Sequence, residues 1–513
     1  DHIMFIGPDV WRGKENPLFE EDASLLKSWK DTAASENLYV RIGRWNVPGR
    51  PVAVLVDFQP YFAMKNDIYT RLWEDYGVDS LHAYGDYDEA SMFSYAAGLV
   101  VESYYNHVLK GQCEHVVYQA HEWMTGLGAL YIQKHVPEVA TIFTTHATTI
   151  GRSIAGNHKP LYEYLFAYNG NQMAQELNVQ SKHSIERETA HHVDCFTTVS
   201  EVTNRECAEL LDKPADVVLM NGFEKDFVPS KALFARKRRE ARRKLREVAG
   251  ALLGTEFDDD VMIISTSGRY EFRNKGIDLY MEAMNRSLRN KDLTRKILAF
   301  VQVPGWVCCP REDLKERLDS GKACDTPLQW PLLTHWLHEM SHDQVIDYMK
   351  RYNMWNQPED KVKVIFVPCY LDGADGIFNM HYYDLLIGMD LTVYASYYEP
   401  WGYTPLESVA FHVPCVTTNL SGFGLWVNQL LGKEGELADG VQVVRRTDYN
   451  SSEVADAIKD AITAYSAFTP HEVENIRHKA ADISEHALWK HFIQYYYQAY
   501  DFALHKAKQR RGR

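Results

Sequence analysis

The chain has 513 residues, of which 45% are hydrophobic and 24% charged, and its formal net charge is −15. Length and apolar content suit a soluble globular protein of two or more domains with ample core. The acidic balance excludes a general nucleic-acid binder, which needs a basic face, and no apolar run reads as a signal peptide or membrane span.

The chain opens in an apolar strand, Ile3-Met-Phe-Ile-Gly-Pro8. Strand-like runs then alternate with helical patterns at Val52–Phe58, His115–Tyr118, Ala140–Thr144, Cys195–Ser200 and Val217–Gly222. A second set comprises Val261–Ser265, Ile297–Val301, Val362–Val367, Leu391–Tyr394, Val413–Thr417 and Val441–Val444. Continuous rather than alternating hydrophobicity means strands covered on both faces, and the βα alternation predicts doubly wound parallel sheets. The fold class expected is therefore α/β, with two Rossmann-like domains facing a cleft. The N-terminal domain is placed at 1–222 and the C-terminal domain at 261–484, with a final crossover helix and tail at 485–513. The basic run Ala235–Glu247 lies on a helical connector (223–260) and reads as a solvated face or a partner contact. Residues 306–358 read as a helical insertion, and the tail from Lys508 as frayed.

Eight cysteines include no Cys-x-x-Cys pair, so neither zinc nor a redox dithiol is indicated. A reduced, cytoplasmic setting is the simplest expectation. Aromatic content of 12% fits carbohydrate or base stacking and fits core packing equally well.

The stretch Ser396-Tyr-Tyr-Glu-Pro-Trp-Gly-Tyr-Thr-Pro-Leu-Glu407 follows an apolar strand and precedes an apolar helical run. Gly402 permits close backbone approach, and Pro405 suits a first helical turn. Strand, turn and helix start would leave open N–H groups and a positive dipole end, a seat for an anion. Glu399 and Glu407 bracket that turn. A turn with no function explains the same residues.

Glu399-Pro-Trp-Gly-Tyr-Thr-Pro-Leu-Glu407, with Thr417-Thr-Asn-Leu-Ser-Gly-Phe-Gly424 after it, resembles the glycogen synthases of the animal and fungal type, glycosyltransferase family 3. The resemblance spans Ile6 to about Leu504. It implies a GT-B fold whose last helix crosses back to the N-terminal domain. It also implies retaining transfer of glucose from UDP-glucose to an α-1,4-glucan. Gly268-Arg-Tyr-Glu-Phe-Arg-Asn-Lys-Gly276 is similar to the family block whose Arg and Lys hold the diphosphate, which assigns Arg269 and Lys275. Thr144-Thr-His-Ala-Thr-Thr-Ile-Gly-Arg152 is similar to another, assigning His146 to the reacting sugar and Arg152 to charge stabilisation. A satisfied structural histidine is the plainer alternative for His146. His121-Glu-Trp123 matches a third, with Glu122 an acceptor-side candidate or a structural residue.

Glu399 is assigned to the sugar hydroxyls and Glu407 to the ribose. Trp401, Gly402, Tyr403 and Thr404 are assigned to the nucleotide sugar, and Asn221 to the hinge side of the cleft. Tyr382 matches a tyrosine that stacks on uracil, with the neighbouring Tyr383 as the one-residue slip. No Asp-x-Asp motif is seen at a strand end, so no metal and no cofactor are expected. The partners expected are UDP-glucose, glucan and further copies in a homo-oligomer, without nucleic acid or membrane. An inactive glucan-binding scaffold and a transferase using ADP-glucose or another acceptor are the alternatives.

Two departures from the family stand out. A first strand and a Lys-Val-Gly-Gly turn have no counterpart before Ile3; the reading favoured is that the sequence lacks its N-terminus, with a departure of this protein from the family as the alternative. The arginine cluster that binds glucose 6-phosphate is reduced to Arg477, His478 and Lys479, so weak or no activation is expected, as in a bacterial or unregulated member.

Overall fold

The structure, a computed structural model, describes residues 2–512. The chain divides into two compact units, Asp1–Met220 with Ile493–Arg513, and Asn221–Phe492.

The first unit holds strands β1 (Met4–Pro8), β2 (Phe19–Glu21), β3 (Val40–Trp45), β4 (Val52–Val56), β5 (Val117–His121), β6 (Ala140–Thr145), β7 (Cys195–Thr198) and β8 (Val217–Val218). They form two four-stranded sheets, β1-β4-β3-β2 and β5-β6-β7-β8, where the sequence suggested one parallel sheet. The second of these is parallel throughout. In the first, only β1 and β4 are parallel. The reason is β3, which the search for continuous apolar runs passed over because charged and apolar residues mix in Val40-Arg-Ile-Gly-Arg-Trp45. It turns into β4 through a short loop containing Gly49 at φ 84°, and a strand that returns so soon pairs antiparallel.

The second unit holds β9 (Met262–Ser267), β10 (Ile297–Gln302), β11 (Val307–Pro310), β12 (His335–Leu337), β13 (Val362–Val367), β14 (Leu391–Val393), β15 (Cys415–Thr418) and β16 (Val441–Val444). Six of them form one sheet in the order β13-β10-β9-β14-β15-β16, every pair parallel. This is the doubly wound arrangement in which the direction of winding reverses between the first and fourth strands, here β9 and β14. Both faces are buried. Ile264, Ala299, Val301 and Val364 enter one core, and Ile263, Leu298, Phe300 and Ile365 the other.

Three expectations need correction. The insertion is not wholly helical: β11 and β12 pair antiparallel, and helices Glu312–Ser320 and Gln344–Arg351 accompany them. The basic run is solvated on one face only: Arg236 and Arg243 are exposed, while helix Lys231–Leu253 buries Ala241, Leu245, Val248, Ala249 and Leu252 in the second unit's core. Its Arg238 and Arg242 reach the buried Asp390 at 2.7 and 2.8 Å. The last helix, Trp489–Arg511, runs through most of the tail expected to fray. It starts in the second unit and lies in the first from Ile493. There Arg510 grips Asp194 with Nε at 3.1 Å and Nη2 at 2.8 Å, a bidentate pair that ties down the end of the helix.

Candidate functional site

Ligands of doubly wound sheets bind beyond the carboxyl ends of the strands, where the winding reverses. In the second unit this point lies between the segments following β9 and β14. The β9 segment, Gly268–Gly276, and the β14 segment, Tyr394–Gly402, are stitched together there. The N–H groups of Tyr397 and Tyr398 both donate to the Asn274 carbonyl, at 2.9 and 3.1 Å. Gly276, at φ 71°, lies so close to Ala395 that an added Cβ would stand 1.9 Å from its carbonyl oxygen, so only glycine fits. Lys275 and Glu399 meet at 2.5 Å, with side chains 12% and 14% exposed. Two of the assigned charges are thus paired at the switch point.

The same loop continues into helix Tyr403–Ala410. Its N-cap is Gly402, at φ 115°, and no side chain caps it. An added Cβ at Gly402 would press on Ser421 Oγ at 2.9 Å and Glu399 Cγ at 3.4 Å. The loop after β15 fixes the approach: Gly422 N donates to Glu399 O at 3.0 Å and Phe423 N to Trp401 O at 2.7 Å. An uncapped helix start with open N–H groups and a positive dipole end is a seat for phosphate oxygens.

Glu407, on this helix, accepts the Tyr383 hydroxyl at 2.7 Å. Burial raises its pKa above the ordinary carboxyl value, and the tyrosine opposes the rise. Tyr383 stacks on Phe411, 5.4 Å away, and on Phe227, 4.9 Å away, in a three-ring cluster. The assigned Tyr382 instead places its hydroxyl 2.6 Å from Ser267 Oγ at the end of β9. Both tyrosines therefore adjoin the site, and they contact different partners. Tyr403 is 45% exposed and Thr404 half-buried.

Two assigned residues stand apart. Arg269 is 65% exposed and pairs with Glu271 at 3.1 Å, not with the Lys275–Glu399 pair. The ring of Trp401 is 3% exposed and packs among Phe423, Trp426 and Phe492, so it supports the loop from the core side. Half-buried Asn221 is the first residue of the second unit. The adjoining Gly222 is held against Trp489, whose Cδ2 would lie 2.8 Å from an added Cβ.

The first unit gathers a second cluster at the carboxyl ends of β5 and β6. His121 Nδ1 and His146 Nε2 are 3.0 Å apart. Burial lowers the pKa of both, and His146, with His121 beside it, falls to about 4, so it is a neutral imidazole at pH 7. Glu122 Oε1 accepts the His146 N–H at 3.1 Å. Burial raises the Glu122 pKa, and the charge of Arg152 opposes that rise. Arg152 is exposed on helix Thr149–Gly156. Sequence reasoning passed over Glu186 beneath this loop, and it named Tyr383, which meets Glu407, only as the one-residue alternative to Tyr382. Ile185 and Ala190 are the only apolar residues of helix Gln180–His192, so no hydrophobic pattern marked Glu186 as buried.

Of the charged residues near the reduced cluster, Arg477 is partly buried, with Nη1 3.4 Å from the Met389 carbonyl. Burial and the neighbouring Arg238 lower its pKa to about 9.

One group of metal-ligating side chains, His335, Cys369 and Asp375, comes together in the second unit. Both imidazole nitrogens are already engaged, Nδ1 with Thr334 Oγ1 at 2.8 Å and Nε2 with the Asp375 carbonyl at 2.9 Å. The Asp375 carboxylate accepts three backbone N–H groups, from Ile377, Phe378 and Asn379. Burial pushes the Cys369 thiol up to about 12. This group is a hydrogen-bonded turn, not a set of open ligands.

The sequence model of the family described as glycogen synthase matches residues 1–309 and 312–511. The chain belongs to the glycogen synthase family. The glycogen [starch] synthase of Neurospora crassa is 26% identical over 99% of this chain and 79% of its own length. Isoform 2 of the Saccharomyces cerevisiae enzyme is also 26% identical, over 99% of this chain and 82% of its own. Among solved structures, the catalytic domain of starch synthase IV from Arabidopsis thaliana, bound to ADP and acarbose, superposes with a TM-score of 0.53. It is 12% identical, with 98% of this chain and 99% of that one covered. A UDP-forming α,α-trehalose-phosphate synthase from Burkholderia vietnamiensis gives 0.52 at 10% identity, over 98% and 100%. These glycosyltransferases share the GT-B fold, which this glycogen synthase family member therefore has as well. No helix among the described residues is long and apolar enough to cross a membrane.

Proposed function

We propose that this family member is a retaining glucosyltransferase that extends an α-1,4-glucan from UDP-glucose. The observation that carries the reading is the Lys275–Glu399 pair at the switch point, beside an uncapped helix start. In the reaction the bond between the glucosyl C1 and the diphosphate oxygen breaks. The acceptor 4-hydroxyl bonds to C1 on the same face, and its proton passes to the departing phosphate oxygen. The protein supplies orientation and electrostatics.

Lys275 and the N–H groups at the start of helix Tyr403–Ala410 take the diphosphate, and Arg269 swings in from solvent to join them. Glu399 holds sugar hydroxyls and Glu407 the ribose. Tyr382 stacks on the base. In the first unit, neutral His146 serves as a hydrogen-bonding group for the sugar, Arg152 supplies positive charge, and Glu122 serves the acceptor side. No metal takes part.

Incubation with glycogen and either UDP-glucose or ADP-glucose, following nucleotide release and chain elongation, tests the reading. UDP release coupled to elongation is expected, and Glu399→Ala should abolish it while the protein remains folded. Preference for ADP-glucose would overturn the donor assignment, and near-normal turnover of Glu399→Ala would remove that residue from the site.

A further inference from the structure

Glu186, on helix Gln180–His192, is fully buried in the first unit. Its Oε2 accepts the backbone N–H of Thr149 at 2.8 Å, and its Oε1 meets the hydroxyl of Thr145. These two partners stand on either side of His146, so one carboxyl grips the turn that carries it from both ends. Glu122 holds the His146 N–H itself, and Glu206, also fully buried, accepts the Thr148 hydroxyl at 2.9 Å.

The chemistry of the grip follows from charge. The partners of Glu186, the hydroxyls of Thr145 and Thr149 and the Thr149 amide, carry no charge, and an ionised carboxylate without a cation is costly at zero exposure. The titratable groups around it do not help. Glu122 faces it from the turn after β5, and Cys207 from helix Glu201–Leu210. His146, in the loop it holds, is itself kept neutral, and the Arg152 charge acts on Glu122. Burial and the Glu122 charge together hold the Glu186 proton up to about 8.

We propose that Glu186 is a positioning residue that works as a neutral acid, accepting from Thr149 N–H and donating to Thr145 Oγ1, and so fixes the turn bearing His146. The proposal rests on the reading of His146 as part of the transferase site. Loss of the proton turns the donor at Thr145 into a second acceptor and brings negative charge against Glu122, which loosens the turn.

Glutamine copies the neutral acid, one acceptor and one donor, and cannot copy the carboxylate. The test compares wild type, Glu186→Gln and Glu186→Ala for kcat and donor KM between pH 6 and pH 9. We expect Glu186→Ala to lower kcat at least about tenfold with donor KM within about twofold, and Glu186→Gln to rescue at least about half of kcat. Wild-type kcat should fall about tenfold between pH 7 and pH 9 as the acid titrates, and Glu186→Gln should lose that limb. Should Glu186→Ala fail to fold, the pH profile of Glu186→Gln decides alone. Equal impairment of both variants, or the same alkaline fall in Glu186→Gln, would overturn the proposal.

A wild type without transferase activity would sink the functional reading instead, and a second readout then judges Glu186. Its folded pKa lies above the unfolded value, so its contribution to stability is complete below the unfolded value of 4.5 and is lost as pH rises towards about 8. Wild type should lose stability relative to Glu186→Gln across that window, and parallel curves would contradict the neutral acid.

Discussion

At the scale of single residues, the site is decided by pairs rather than by isolated charges. Lys275 and Glu399 are both nearly buried, and each is the other's partner at 2.5 Å. Removing one member of such a pair strands the other in a poorly solvated place, which costs about 3 kcal/mol or more. Lys275→Met should therefore lower stability by about that much in urea denaturation. The double variant Lys275→Met/Glu399→Gln should recover most of the loss yet remain inactive, and a stability unchanged in the single variant would show that the pair bears no load. Both residues were assigned through the resemblance of their blocks, Gly268–Gly276 and Glu399–Glu407, to the family's, and their pairing with each other was not legible in the sequence. The separate roles of Tyr382 and Tyr383 were not legible either. Adjacent residues in a short helix differ by a large rotation about its axis, and only coordinates reveal that Tyr383 meets Glu407 while Tyr382 meets Ser267. Arg269 was readable as a strand-end cation, but its pairing with Glu271 was not.

At the scale of elements, the basic helix Lys231–Leu253 shows how a charge run misleads. Seen alone it suggests a solvated face, yet apolar residues at helical spacing sit among the arginines and face the core. Arg238 and Arg242 converge on Asp390, which also accepts the Ile263 N–H of β9 at 2.8 Å. That carboxylate anchors the helix to the central strand of the site's sheet. Asp390→Asn leaves two guanidinium groups facing a neutral amide and should cost about 3–5 kcal/mol in denaturant unfolding. The arginines hold the Asp390 pKa down to about 2 against burial, from an ordinary 3.8. Because the folded value is depressed, its stabilisation is present above the unfolded value and disappears as pH falls through the folded one, between about 4 and 2. Wild type should lose stability in that window and Asp390→Asn should not. A variant as stable as wild type at pH 7 would contradict the anchor.

At the scale of the whole molecule, the two-sheet plan could be read in the second unit because its buried strands are continuous apolar runs with helices between them. It could be read only in part in the first unit, where the hairpin of β3 and β4 mixes polar and apolar residues and escapes a search for continuous hydrophobicity. The end of the last helix was obscured for a similar reason. Its basic tail looks frayed until Arg510 is seen on Asp194. The account depends on Lys275 and the open start of helix Tyr403–Ala410 receiving a diphosphate together. A crystal structure with bound UDP tests this most directly. The account predicts phosphate oxygens within hydrogen-bond reach of Lys275 Nζ and of the Tyr403 and Thr404 N–H groups. UDP bound away from the carboxyl ends of β9 and β14 would contradict it.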